Sequence, residues 1–571
     1  MTANEQPKMP VSHRPIPLLP AAPRNRSIAK EITRSYTVGR HEFSRMISGG
    51  KLEIVIRTSE VLEPDVRAVL VSNVNADHPA QWVEIPFTLR DQHTLVCEIQ
   101  PKQTGLYTFW ARFSVDAGAT WFPDTVPNAW LLVDPPQVDQ LRMYTLIPSV
   151  SGTFSDWAVQ LGHIAAMGFN AVHLLPLTTL DTSLSPYSAH DLFDVDPSYL
   201  DKTSTKSGLE QLEAFIEQAK TQNLRICFDL VLNHVGIDSH IARRAPEWIM
   251  PDVQNPDGLR RARFWSDKGW QQWLDLALID YEHPSQQVRW EIYHYMTEYA
   301  MFWAKYANET NGFVRFDNLH SSDKLFVDHL TQMLQKGYPN VGVVAEYFTD
   351  ASTLLDTVPK WGLSLILATP WDSRFVPQLR DYLKYIHSIS EHVRFFMPIT
   401  SHDSGSPAQE FGSIESTVPR YVAAALLGTG ATGITQGVEW GVKEKINFIG
   451  QHPKLNYTGQ PMFGEFLKQV NDILVKHPVF SEGNNCRFVD NNHHAIIAVF
   501  RKSARPAQPC YLVVCNFDIL GEQTLAIDLS TLLPTTNPVS CIDLLTGQSH
   551  TFASPTISLV MPKCSAKVLM F

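Results

Sequence analysis

Arg315 and Asp317 stand two residues apart in Asn311-Gly312-Phe313-Val314-Arg315-Phe316-Asp317-Asn318-Leu319-His320. Gly312 to Val314 reads as the start of a short buried strand. On a strand, residues two apart point to the same side. A cation beside a carboxylate at the end of an apolar strand is costly unless the two are used or paired. The pattern returns elsewhere. One apolar run ends in Glu346, another in His402 and Asp403, and a third carries Asp229, Asn233 and His234. Acids and imidazoles brought together are groups that attack or transfer protons. Apolar strands that each finish in acid or histidine are how a parallel β/α barrel presents its catalytic face.

The elements that must position these residues alternate from Leu141 onward, as α/β layering requires. Strands are expected at 143–147, 170–176, 225–229, 312–317, 341–346, 361–369, 393–400 and 431–436. Helices are expected at 153–167, 207–222, 283–306, 322–337, 375–388, 416–427 and 461–476. The connection 235–284 is too long for an ordinary barrel loop and is expected to be functional. Before the barrel, short alternating runs separated by turn residues predict a β-sandwich over 36–136, and similar runs predict a C-terminal β-sandwich over 479–571. The fold class is therefore a multidomain chain, a (β/α)8 barrel over 137–478 flanked by two all-β domains. Residues 1–35 read as a tail, with prolines at 7, 10, 15, 17, 20 and 23 and no apolar core of signal-peptide type. Trp82, Tyr107, Trp110, Trp121 and Trp130 on the first sandwich could stack on sugar rings; filling its core is the expected use.

The chain has 571 residues, 44% hydrophobic and 18% charged, which is ample for several cores. A net charge of −11 argues against nucleic acid or an anionic membrane as partner. No run of 18 apolar residues suggests a membrane span. The seven cysteines (97, 227, 486, 510, 515, 541, 564) fit neither a disulfide framework nor a zinc site. Free buried thiols in the cytosol are expected.

In their order along the chain, Asp229…Asn233-His234, Arg315-Phe316-Asp317, Glu346 and His402-Asp403 resemble the α-amylase superfamily of retaining glycoside hydrolases and transglycosylases. Ser185-Pro186-Tyr187-Ser188 and Gln436-Gly437-Val438-Glu439-Trp440-Gly441 add to the likeness, which covers about residues 140–571. Within the superfamily the sequence is most similar to the glucanotransferase half of glycogen debranching enzymes. That likeness lies in Gly152–Trp157, Gly168–Leu177, Arg315–Ser321 and Val344–Thr349. The chain lacks their second catalytic half, so a complete debranching role is not expected. Asp317-Asn318-Leu319-His320 is also similar to maltosyltransferases that use maltose 1-phosphate.

The resemblance implies Asp317 as nucleophile, Glu346 as acid/base and Asp403 as the acid that binds the ring hydroxyls as the sugar flattens. Arg315 is expected to contact the substrate and to keep Asp317 ionised, leaving Glu346 with the raised pKa. His234 and His402 are expected to donate to hydroxyls of the same ring, with Tyr187 stacked on it. Asn318 and His320 are placed on the leaving or acceptor side, and Trp371 and Trp440 are candidates for acceptor subsites. Asp229 and Asn233 are read as supports. Many relatives hold calcium through that asparagine; no carboxylate partner is evident here, so neither metal nor cofactor is expected. The expected substrate is an α-1,4-glucan or malto-oligosaccharide, and the expected activity 4-α-glucanotransfer. Hydrolysis, maltosyl transfer from maltose 1-phosphate, disaccharide isomerisation and a non-catalytic glycan-binding protein are the alternatives. A lone acid at a strand end more often caps a helix or anchors a loop; four such motifs in order weigh against that.

Overall fold

The computed structural model describes residues 33–36, 43–57, 61–76, 81–123, 129–266, 269–456, 458–503, 508–533 and 538–571. All but the last three residues of the expected tail 1–35 lie outside them. The chain divides into two units, Met1–Pro136 and Gln137–Phe571.

The first unit holds two sheets. One orders Thr33–Tyr36, Leu52–Arg57, Thr94–Ile99 and Thr88–Asp91; the other orders Phe43–Ile47, Ala129–Asp134, Gly105–Ser114, Arg67–Ser72 and Val83–Pro86, with Phe122–Pro123 beside Gly105–Ser114. Their core is made by Ile54, Ile56, Leu70, Phe109, Phe113 and Leu131. This corrects the expected use of the tryptophans. Trp110 and Trp130 fall one residue off Phe109 and Ala129 in the two-residue pleat, so they face away from that core. Trp130 is 38% exposed, and Trp82, Trp110 and Trp121 are half-buried. Tyr107 alone of the five packs against the core.

The second unit is built on a closed barrel of eight parallel strands. These are β1 (Arg142–Leu146), β2 (Ala171–Leu174), β3 (Arg225–Val231), β4 (Phe313–Asp317), β5 (Gly342–Ala345), β6 (Leu365–Leu367), β7 (Phe395–Pro398) and β8 (Ala431–Thr435). A helix of ten residues or more follows each: α1 (Phe154–Ala166), α2 (Gly208–Thr221), α3 (Gln286–Asn308), α4 (Lys324–Gly337), α5 (Ala351–Trp361), α6 (Val376–Ile389), α7 (Thr417–Leu426) and α8 (Gly464–Lys476). The starts are chemically marked. Ser207 and Glu210 form a reciprocal capping box at α2. β6 is shorter than the expected 361–369, because Trp361 belongs to α5 and Gly362, at φ 59°, caps that helix.

Segment 235–284 is not structureless. His234–Gly236, Gly269–Leu278 and Arg261–Ser266 form a three-stranded antiparallel sheet, with the short helix His240–Arg244. Beyond α8 come a six-stranded sheet with Cys486–Phe488 and Ser549–Phe552 at its edges and a two-stranded one, Gln523–Asp528 with Thr556–Met561. Two arginines fasten the six-stranded sheet to the barrel helices. Arg380 of α6 donates to Asp490 Oδ2 at 2.9 Å and to the Ile496 carbonyl at 3.0 Å. Arg501 is wholly buried; it donates to the carbonyls of Leu426 at 2.8 Å and Glu482 at 2.7 Å and to Asn485 Oδ1 at 2.6 Å.

Arg501→Met would keep the volume and strand these acceptors. The substitution is expected to destabilise the second unit by about 3 kcal/mol. Chemical denaturation followed by circular dichroism measures this, and an unchanged midpoint would contradict the account of this joint.

Candidate active site

The ladder between β3 and β4 pairs Asp229 with Arg315 and Val231 with Asp317. Across the next ladder Arg315 pairs with Val344, so Glu346, two residues on, emerges on the same side. Register alone therefore brings three carboxyls to one guanidinium. Arg315, 4% exposed, donates from Nη1 to both oxygens of Asp229 at 2.7 Å and to Asp317 Oδ1 at 2.9 Å. Its Nη2 lies 2.9 Å from Glu346 Oε2. Asp317 and Glu346 are thus bridged by the two ends of one planar cation. That reach is compatible with the roughly 5–5.5 Å between the carboxyls of a retaining glycosidase pair. Asn318 takes the left-handed conformation, φ 46°, which asparagine tolerates. The turn aims its N–H at Glu346 Oε2, 2.9 Å away. The Leu319 N–H and the Phe316 carbonyl hold the Glu346 backbone.

A second branch runs from Asp229 to the third acid. Tyr187 donates its phenol to Asp229 Oδ2 at 2.9 Å and meets His402 Nε2 at 2.6 Å. The phenol's proton is given to a carboxylate, so His402 Nε2–H is the donor in the second contact. The same nitrogen is 3.0 Å from Asp403 Oδ2. The rings of Tyr187 and His402 stack, 5.4 Å apart and 7° from parallel. Asp403 opens to solvent, its side chain 56% exposed.

The electrostatics differ from the sequence expectation at one point. Burial opposes ionisation of Asp229, yet Arg315 and His173 hold its carboxyl below the usual range. Burial and the Glu346 carboxylate push Asp317 well above it, with Arg315 opposing. The expectation was that Arg315 keeps Asp317 ionised. The reason for the difference is that Nη1 is shared: two of its three contacts go to Asp229, so Asp317 receives only part of the compensation. Burial also works against Asp403, but His402 beside it wins and lowers it to about 2.

Arg315 and His234 were expected to touch substrate; Arg315 is taken up by carboxylates, and His234 is buried with its Nδ1 lacking a hydrogen-bond partner. The His234 Nε2 meets the Tyr187 carbonyl at 3.1 Å, which makes it a support for the tyrosine's backbone. His320 is exposed on the turn after β4, its ring 5.3 Å from that of Phe348, which follows Glu346 by two. Trp371 is half-buried on the turn Pro370–Asp372 after β6, and Trp440 on the turn Val438–Trp440 after β8. Asn233 Oδ1 is buried without a hydrogen-bond partner. Among the described residues no group of three or more His, Cys, Asp or Glu is placed to hold a metal.

The sequence reading missed His173 and Phe448. His173 on β2 is buried and kept neutral, its pKa lowered by burial against the pull of Asp229. It gives Nε2–H to Asp229 Oδ2 at 3.1 Å and takes the Thr145 hydroxyl at Nδ1, 3.2 Å away. A histidine in the apolar run Ala171–Leu175 was the available signal. Phe448, in the long segment after β8, sets its ring edge-on to Tyr187 and His402 at 5.9 and 5.3 Å.

Residues 136–257 match the family model of the glycogen debranching enzyme glucanotransferase domain. The α-1,4-glucan:maltose-1-phosphate maltosyltransferase of Methylacidiphilum infernorum is 21% identical over 400 residues, 65% of this chain and 57% of that protein. These two likenesses support a place for the chain in the α-amylase superfamily. Amylase-type folds agree with this. The structure of a maltogenic α-amylase from Thermotoga neapolitana superposes with a TM-score of 0.61 at 17% identity, covering 76% of this chain and 98% of the other. A cyclomaltodextrinase structure gives 0.61 at 15% identity and covers 95% of this chain and 100% of the other. The chain spans just over half the length of its maltosyltransferase relative.

Burial lowers the His234 pKa to about 4, and that of His173 is lowered too. In the unfolded chain both titrate near 6.5. Their stabilising effect is present in full above pH 6.5 and is lost as pH falls towards 4. The thermal unfolding midpoint is expected to drop between pH 7 and 5, less steeply in His234→Gln; a flat wild-type profile would exclude this.

Proposed function

We propose that this α-amylase superfamily member is a retaining transglycosylase acting on α-1,4-glucans, a 4-α-glucanotransferase. The observation that carries the reading is the single guanidinium of Arg315 bridging Asp317 and Glu346, with Asp403 joined to the same network through His402 and Tyr187. Asp317 attacks the anomeric carbon while Glu346 protonates the departing oxygen. The covalent glycosyl-enzyme is then opened by an acceptor hydroxyl that Glu346 deprotonates. Asp403, ionised and open to the cleft, accepts the ring hydroxyls most strongly as the sugar flattens.

Transfer and hydrolysis use the same acids and differ in what reaches the intermediate. Support for a sugar acceptor comes from the exposed ring pair of His320 and Phe348, the latter 45% exposed, directly beside Glu346. Such a surface favours a pyranose over water. A second reading, maltosyl transfer from maltose 1-phosphate, is favoured by the activity named for the Methylacidiphilum relative. Against it, Arg315 is buried and already divided among three carboxylates, leaving it nothing to give a phosphate. Among the described residues no helix is long and apolar enough to cross a membrane. The seven cysteines are unpaired, six of them buried, and we place the protein in a reducing compartment, the cytosol.

Incubation with maltopentaose, with and without inorganic phosphate, is expected to give products both longer and shorter than the donor, unaffected by phosphate. Shorter products alone would establish hydrolysis, and maltose 1-phosphate formed only with phosphate would select the second reading. Asp317→Asn should abolish turnover while glycan binding persists.

The raised Asp317 must lose its proton before it attacks, so kcat/KM should fall with decreasing pH at a point above the ordinary carboxylate range. With an α-maltosyl fluoride donor, which needs no acid, Glu346→Gln removes one cause of the raised pKa. The acidic limb should then move to lower pH; an unmoved limb would refute the coupling.

A further inference from the structure

The described residues of segment 442–462, between the turn after β8 and α8, form neither helix nor strand. Irregular stretches of this length inside a compact fold are uncommon and are usually functional. This one is tied down at several points. Ser149 Oγ donates to the Asn447 carbonyl at 2.8 Å. The N–H groups of His452 and Leu455 donate to the carbonyls of Ser149 and Val150 at 2.9 Å each. The Gly450 N–H donates to the Leu184 carbonyl, also at 2.9 Å. Lys445 Nζ donates to the Asp403 carbonyl at 2.7 Å and sits 5.4 Å above the Phe448 ring. The segment thus spans residues that follow β1, β2 and β7.

Leu184, which takes one of these bonds, also closes a turn by donating its N–H to the Asp181 carbonyl at 2.9 Å. It lies at φ 58°, a region branched side chains avoid, and its side chain is 48% exposed. Strain of this kind persists where surrounding contacts fix it and gathers at ligand clamps.

The strap's position in the barrel gives it a side. The exposed His320–Phe348 pair follows β4 and β5. The strap follows β8 and fastens beside β1 and β2, across the closed barrel from β4 and β5. Phe448 stands edge-on to the Tyr187–His402 stack, 82–83° from both rings. We propose that strap 442–456, through Phe448, closes the donor side of the cleft, so that the enzyme takes α-glucan chains by their non-reducing ends and transfers short units. This rests on the transglycosylase reading and adds to it the direction and length of the donor.

The test uses a pair of p-nitrophenyl maltopentaosides, one free and one with its non-reducing 4- and 6-hydroxyls tied as an ethylidene acetal. The readout is the ratio of kcat/KM for the blocked substrate to that for the free one. A closed donor side should make that ratio far below one in the wild-type protein. Phe448→Ala, and Lys445→Ala by loosening the anchor, should each raise it by about tenfold or more, the scale on which a pocket discriminates by fit. Equal cleavage of both substrates by the wild-type protein would overturn the proposal, as would a low ratio that neither variant changes. Absence of turnover on the free substrate would remove the transglycosylase reading itself, and this inference with it.

Discussion

The contact between Arg315 and Asp229 is the constraint on which the barrel mouth depends. Both groups are buried, and neither could remain charged there without the other. The parallel ladder sets them opposite each other, so the pairing costs no special backbone. Once made, it gives the guanidinium a fixed plane. From that plane one nitrogen reaches Asp317 and the other Glu346. Asp229 in turn presents Oδ2 to Tyr187 and His173. The acids expected to do the chemistry are therefore positioned by a buried ion pair that does no chemistry itself, which is how preorganised sites keep their geometry before substrate arrives.

The same arrangement explains why Asp317 is the carboxyl held above its ordinary range. A cation shared among three acids cannot stabilise each of them as it would one. Asp229 is contacted through both oxygens and takes the larger part. In the proposed mechanism Asp317 must be ionised to attack, so the pH dependence of that step becomes a property of the cluster.

Much of this was legible in the sequence, for identifiable reasons. Strands β3, β4, β5 and β7 announce themselves because an apolar run stops at an acid or histidine, and the two-residue period then says which of those residues share a side. Helix starts such as Ser207–Glu210 carry their own chemistry. What was not legible depends on contacts between distant segments. His173 looks like one polar residue in a buried strand until the register sets it between Thr145 and Asp229. Phe448 lies in a stretch with no period at all, so only tertiary structure brings it to Tyr187. Trp110 and Trp130 were misjudged because a one-residue shift in a strand exchanges inside for outside. The division of Arg315 among three acids could not be seen from spacing that showed only the nearest of them.

Sharing one cation also bears on how such a site can change over generations. Exchange of any one acid alters the balance felt by the others, and loss of Arg315 would leave three carboxylates facing one another in the interior. The cluster is therefore expected to change only as a block. Room for divergence lies in the segments that rest on it, among them the turns carrying His320 and Phe348, the three-stranded sheet that starts at His234, and the strap bearing Phe448. New specificities on this scaffold would be expected to arise by trading those segments while the buried charges stay as they are.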